Sequence, residues 1–239
     1  MLAHGFDEAP EFQVYNEGNA RAFCNFRLRP LTTIESLIER SWAEFVLFKL
    51  LCDSHRVPEL LERFRGGRVI WAYRALSTAA SAQPWRSSAA RTCACCAPML
   101  PAGTRMRGRC RDNPWSIDFI RSFDFGRLSA ESAAALFWYV RNSLYFEMAL
   151  DRREDTMLAS YDQLLAKPER VAGALCAFLS LDYREALIAH IKPRRPAWKA
   201  PLAIDDRIRG RCAELQRRLD EVSLAHTSRL IGNRSIPRT

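Results

Sequence analysis

Short apolar runs alternate with amphipathic stretches along much of this chain, and their spacing predicts parallel strands joined by helices. Phe45-Val46-Leu47-Phe48 is an uninterrupted apolar run of strand length. A helical segment follows, with Pro58 just inside its start, Leu60, Leu61 and Phe64 as its apolar positions, and Gly66-Gly67 as its end. Val69-Ile70-Trp71-Ala72-Tyr73 is a second apolar run. Strand, short helix and strand at this spacing make a βαβ unit, and such a unit implies a parallel sheet. Upstream, Thr32-Thr33-Ile34-Glu35 reads as a capped helix start, with the helix reaching about Ala43. Downstream, Ser129 and Glu131 open a long helix from Ala133 to about Leu150, with Leu136, Phe137, Val140, Leu144 and Met148 as its apolar face. Asp155 to Ser160 is a third predicted strand. Glu169 to Leu179 is a proline-started amphipathic helix, and Asp205 to Leu224 is a charged one packed through Ile208, Cys212, Leu215, Leu219 and Val222.

Two regions lack such a period. Residues 1–30 are mixed, acidic at Asp7, Glu8 and Glu11, aromatic at Phe12 and Tyr15, then basic at Arg21, Arg27 and Arg29. Gln83 to Arg111 is crowded with Arg, Ser, Ala, Cys and Pro. A loop of that length inside a compact domain is unusual. It reads as a mobile substrate lid, as a disordered insertion, or, the reading we favour, as the product of a locally shifted reading frame that replaces a helix. The same peptide in neighbouring strains would refute the last.

Composition narrows the class. A chain of 239 residues that is 48% hydrophobic can bury one well-cored α/β domain, and 1–239 reads as one. No run approaches the roughly 18 to 20 apolar residues that a bilayer requires. The N-terminal residues carry neither a basic n-region nor an apolar h-region, so the expected location is cytoplasmic, with no membrane span. The net charge of +9 comes almost entirely from arginines spread along the chain. That spread argues against a general nucleic-acid surface, whereas a local cluster suffices for a multiply anionic nucleotide. Among the eight cysteines, Cys24, Cys52, Cys176 and Cys212 are isolated. Cys93, Cys95, Cys96 and Cys110 cluster, but a zinc site wants paired C-x2-C ligands and only Cys93 and Cys96 have that spacing. Thiols that are reactive or incidental fit better, and no metal is expected.

The run that ends in Tyr73-Arg74 leads into a small-residue segment, Ala75 to Ser81, which carries Ser77, Thr78 and Ser81. A strand that delivers a cation to its C-terminal end, followed by a helix start, is how open α/β sheets build anion sites. Phe48-Lys49 and Asp53-Ser54-His55-Arg56 lie upstream, and Tyr161-Asp162-Gln163-Leu164 with Lys167-Pro168 and Phe178-Leu179 downstream. Together these segments resemble the sulfotransferases, especially bacterial ones, that use 3'-phosphoadenosine 5'-phosphosulfate (PAPS) as sulfonate donor. The likeness covers roughly residues 45 to 83 and 131 to 224. In that family a strand ending in Tyr-Arg and a serine on the next helix hold the 3'-phosphate, and a "YEDL" turn precedes a helix closing on "FLGL".

The resemblance implies an α/β fold with a three-layer parallel sheet of the P-loop nucleotide-binding type. It implies sulfonate transfer from PAPS to an acceptor hydroxyl or amine. Arg74 would grip the 3'-phosphate, as a guanidinium fork suits phosphate oxygens. Ser81 would be the partner hydroxyl, but it lies seven residues after Arg74 where the family usually has eight, a shift of about 100° on a helix. Ser77 or Thr78 is then an alternative. Tyr161 would lie near the adenine, or anchor a turn through its hydroxyl, and Asp162 would cap that turn. Lys49 aligns with a lysine close to the transferring sulfonate, where it would stabilise charge on the bridging oxygen. His55 and Glu8 are the two candidates for the acceptor's general base, and His55 reads equally as a structural hydrogen-bonding group. The family's phosphosulfate loop has no counterpart before residue 30, so the chain reads as truncated at its N-terminus. The competing function is a catalytically inactive remnant that acts by binding a nucleotide or another protein. The acceptor and the oligomeric state stay open.

Overall fold

The computed structural model describes residues 2–77, 114–124, 126–192 and 202–232. Within them the first helix is α1 (Leu2–Asp7), followed by strand β1 (Phe12–Tyr15). A hairpin of β2 (Phe23–Cys24) and β3 (Arg27–Leu28) comes next. Helix α2 (Leu31–Glu39) leads to β4 (Phe45–Phe48), and α3 (Val57–Arg63) leads to β5 (Val69–Tyr73). Then follow α4 (Pro114–Arg121), α5 (Ala130–Glu147), β6 (Thr156–Ser160), α6 (Tyr161–Ala166), α7 (Pro168–Leu179) and the long α8 (Asp206–Gly232).

The fold is mixed α/β, and both main strand pairs are parallel. β1 pairs with β4, Phe12 opposite Phe45 and Tyr15 opposite Phe48. β5 pairs with β6, Val69 opposite Thr156 and Tyr73 opposite Ser160. The strand–helix–strand spacing from Phe45 to Tyr73 implied that β4 and β5 share one sheet. Instead β4–α3–β5 passes from one pair to the other, and no described strand bonds to both. The two pairs nonetheless lie between the same helices. On one side, Leu60 of α3 and Phe64 just after it meet Tyr15, Val46 and Phe48, while Val57 and Leu61 of α3 meet Trp71 and Tyr73. On the other, Cys176 of α7 packs with Phe12 and Phe45, while Val171, Leu175 and Phe178 pack with Met157, Ala159 and Ile70.

Each boundary has a local cause. Pro58 occupies the first turn of α3, and Gly66, at φ +83°, makes the left-handed turn that releases the chain into β5. Ser129 caps α5 by accepting from the Ser132 N–H at 3.1 Å. Helix α5 is buried on nearly all sides, including Asn142, Ser143 and Tyr145, and so is more enclosed than a single apolar face implies. Helix α2 stops at Glu39, short of the expected Ala43, where Ser41 Oγ accepts the Ala43 N–H at 3.1 Å. Helix α8 extends past Leu224 because Ser223, His226 and Thr227 continue its buried face. No helix among the described residues is long and apolar enough to cross a membrane. The segment 83–111, with Cys93, Cys95, Cys96 and Cys110, lies outside the described residues, as do Thr78 and Ser81.

Candidate functional site

Parallel strands bring their C-terminal ends to one side, and two side chains of α5 show that both pairs open to the same side. Trp138 Nε1 donates to the Arg74 carbonyl at 2.8 Å, just beyond β5. Arg141, one turn on, donates to Ser54 Oγ at 2.6 Å, beyond β4. Residues three apart on a helix share a face about 5–6 Å across, so the exits of β4 and β5 converge there.

The turn after β5 is held residue by residue. The Tyr73 hydroxyl donates to Asp220 Oδ1 at 2.6 Å. The Ala75 N–H donates to Asp162 Oδ2 at 2.7 Å, and the Leu76 N–H to Gln216 Oε1 at 3.1 Å. Burial, reinforced by the bond to the Asp220 carboxylate, pushes the Tyr73 hydroxyl pKa well above its ordinary value. Asp162 therefore ties the turn after β5 to the start of α6; the N-cap of α6 is Ser160, whose Oγ accepts from the Gln163 N–H at 3.3 Å.

Arg74 leaves this turn exposed, and its guanidinium lies 4.0 Å from the centroid of the Tyr161 ring. A cation over an aromatic face is attracted by the ring quadrupole, by about 0.5–1 kcal/mol at an exposed site. Among the described residues no carboxylate pairs with Arg74, and the contact of its guanidinium is with the Tyr161 ring. Ser77 sits exposed three residues on, where a helical turn begins at Leu76.

Beyond β4 the backbone is organised by acids. Lys49 is exposed, and its N–H continues the ladder by donating to the Tyr15 carbonyl at 2.9 Å. Glu17 Oε1 accepts the N–H groups of Leu51 and Cys52. Asp53, only 4% exposed, accepts from the Leu28 N–H at 2.6 Å and from Arg27 at 2.8 Å, which ties the β2–β3 hairpin to this exit. Burial opposes the Asp53 charge, but the Arg27 and Leu28 hydrogen bonds outweigh it and hold the pKa below the usual carboxylate range. His55 is half-buried. Burial lowers its pKa, Asp53 opposes this, and Arg27, Arg141 and Arg56 add to the lowering. Its imidazole is thus mainly neutral at pH 7, the form that a general base requires.

Lys49, His55, Arg74, Ser77 and Tyr161 accordingly stand at the C-terminal ends of the parallel strands. Glu8 does not. It lies between α1 and the N-terminal end of β1, exposed, with His4 Nε2 at 3.4 Å. Helix α1 is seated far from the strand exits, so close to Leu187 that a Cβ at Gly5 would come within 2.1 Å of the Leu187 carbonyl oxygen. Trp138, Arg141, Gln216 and Asp220 organise the site without any sequence signal beyond membership of amphipathic helices. Among the described residues, no group of three or more His, Cys, Asp or Glu side chains is arranged to hold a metal. No protein-family model matches the chain, and no curated protein or solved structure matches it either.

Proposed function

We propose that this chain binds an adenosine nucleotide carrying a 3'-phosphate, and that the site serves sulfonate transfer from PAPS to an acceptor hydroxyl or amine, within a P-loop-type sulfotransferase fold. The observation that carries the reading is the Arg74–Tyr161 pair: an exposed guanidinium, without a carboxylate partner among the described residues, lying on an aromatic ring where two parallel strands end. The guanidinium supplies a fork for phosphate oxygens. The ring edge beside it offers an apolar surface to a base. In this reading Ser77 is the hydroxyl closest in sequence to the phosphate, Lys49 stabilises the departing phosphate's charge, and neutral His55 takes the acceptor's proton.

Nucleotide binding without transfer is the second reading. The N–H groups of Ala75 and Leu76 are already bonded to Asp162 and Gln216, so in either reading a phosphate at this turn is held through side chains. Calorimetry with 3'-phosphoadenosine 5'-phosphate tests the binding step. Micromolar affinity that falls at least tenfold in Arg74→Ala is the expected result; a folded wild-type chain that does not bind would overturn it. Turnover of PAPS with a panel of acceptor alcohols and amines then separates transfer from binding alone.

A further inference from the structure

We infer that Gln216 and Asp220 of α8 are positioning residues for Arg74, an assignment that rests on the nucleotide reading above. The two lie four apart on one helix face, and each is half-buried. Gln216 Nε2 donates to both Asp220 oxygens at 3.0 Å, and Gln216 Oε1 accepts the Leu76 N–H at 3.1 Å. Only one amide orientation satisfies both neighbours, because the backbone N–H needs an acceptor and the carboxylate needs a donor. Asp220 also receives the hydroxyl of Tyr73, a residue only 3% exposed. Residues 73 and 76, on either side of Arg74, are therefore clamped by a single helix. Trp138 fixes the carbonyl of Arg74 itself.

The consequence is directional. Arg74 has many rotamers, and an exposed arginine in a loose turn would sample them all at an entropic cost to any ligand. With the backbone held on both sides, the guanidinium is presented toward Tyr161. Phosphate affinity should then depend on Gln216 and Asp220, which do not touch the phosphate.

The test uses the full chain and two variants, Gln216→Met, which keeps the length of the side chain and removes its hydrogen bonds, and Tyr73→Phe, which leaves α8 intact. Two readouts are taken once circular dichroism shows a folded chain: the Trp138 indole N–H resonance, assigned with Trp138→Phe, and the affinity for 3'-phosphoadenosine 5'-phosphate. In both variants the indole resonance is expected to shift, and affinity to fall about tenfold. In an Arg74→Ala background, Gln216→Met should cause no further loss, because its effect runs through that arginine. An unmoved indole resonance in Gln216→Met, or wild-type affinity in that variant, overturns the assignment. A wild-type chain that binds no nucleotide refutes the functional reading and with it the ligand-positioning role, while the indole resonance still reports whether α8 holds the turn.

Discussion

His226 links acid stability to a single buried hydrogen bond. Its Nδ1 accepts the Leu158 N–H at 3.0 Å; His226 is 8% exposed and Leu158 is wholly buried in β6. Every residue of strand β6 is buried, more than in any other described strand, so water cannot replace the acceptor. Losing it leaves a buried N–H unpaired, at a cost of about 1–3 kcal/mol. His226→Leu, of similar bulk but without an acceptor, should therefore lower stability by about 2 kcal/mol, or ~4–8 °C in melting temperature for a chain of this size. The bond also requires an unprotonated Nδ1. Burial lowers the His226 pKa from 6.5, Arg229 lowers it further, and Asp151 opposes them. The folded chain thus takes up its proton at lower pH than the unfolded chain does. Above about pH 6.5 the stabilisation is complete, and it is lost as the pH falls below that value toward the folded pKa. Calorimetric melts of wild type and His226→Leu at pH 7.5, 6.5 and 5.5 should show the gap closing as the pH drops. Other titrating groups, His55 included, are common to both proteins and cancel. His226→Asn, whose carbonyl oxygen lies near the place of Nδ1, should recover part of the loss. A gap that stays constant with pH, or no gap at pH 7.5, refutes the reasoning.

Asp53→Ala should cost about 1–3 kcal/mol in urea unfolding, because it strands the buried Leu28 N–H; the Arg27 ion pair adds little, since Arg27 is 60% exposed. With its pKa held below the ordinary 3.8, Asp53 stabilises the chain above that value and loses its contribution as the pH falls further, so the variant should show a flatter acid limb. Iodoacetamide labelling with peptide mapping should modify the exposed Cys24 and Cys52 in the native protein and spare the buried Cys176 and Cys212. Burial pushes the Cys212 thiol up to about 12, so its labelling should wait for denaturant, and early modification would contradict its place in the core.

Where the sequence carried a continuous apolar run, its fold was legible. Phe45–Phe48, Val69–Tyr73 and Thr156–Ser160 are strands, and Pro58 and Ser129 mark helix starts. β1 was not, because four residues flanked by Pro10-Glu11 and Asn16-Glu17 give no period to read. The β2–β3 hairpin was hidden for a different reason. Its turn residues, Asn25 and Phe26, adopt φ +50° and +62°, and a phenylalanine at such a position departs from the usual Asn-Gly signal. Pairing was the deeper limit. The crossover from β4 to β5 looks the same in sequence whether its strands are neighbours or belong to different pairs. Only long-range contacts decide, here Phe12 with Phe45 and Tyr73 with Ser160. The exposed cations Lys49 and Arg74 follow from strand ends, whereas Glu8 rests on the resemblance alone, which does not say which end of β1 it faces.

The separation of the two pairs changes what holds the candidate site together. In a continuous sheet, ladder hydrogen bonds would fix the exit of β4 against the exit of β5. Among the described residues no ladder joins them, and a connection at that end runs through side chains of α5, Trp138 to the Arg74 carbonyl and Arg141 to Ser54. Trp138 is 4% exposed and packs in the same core as Trp71 and Tyr73, so α5 is seated by the β5–β6 pair. Arg141 then extends from that seat to the β4 exit, where Ser54 is followed by His55. Lys49 and His55 are in consequence registered to Arg74 and Tyr161 by a helix rather than by a strand. The spacing between the β4 exit and Arg74 thus depends on α5 as well as on α3, and substitutions on the inward face of α5 should act on the candidate site through Ser54 and the Arg74 carbonyl.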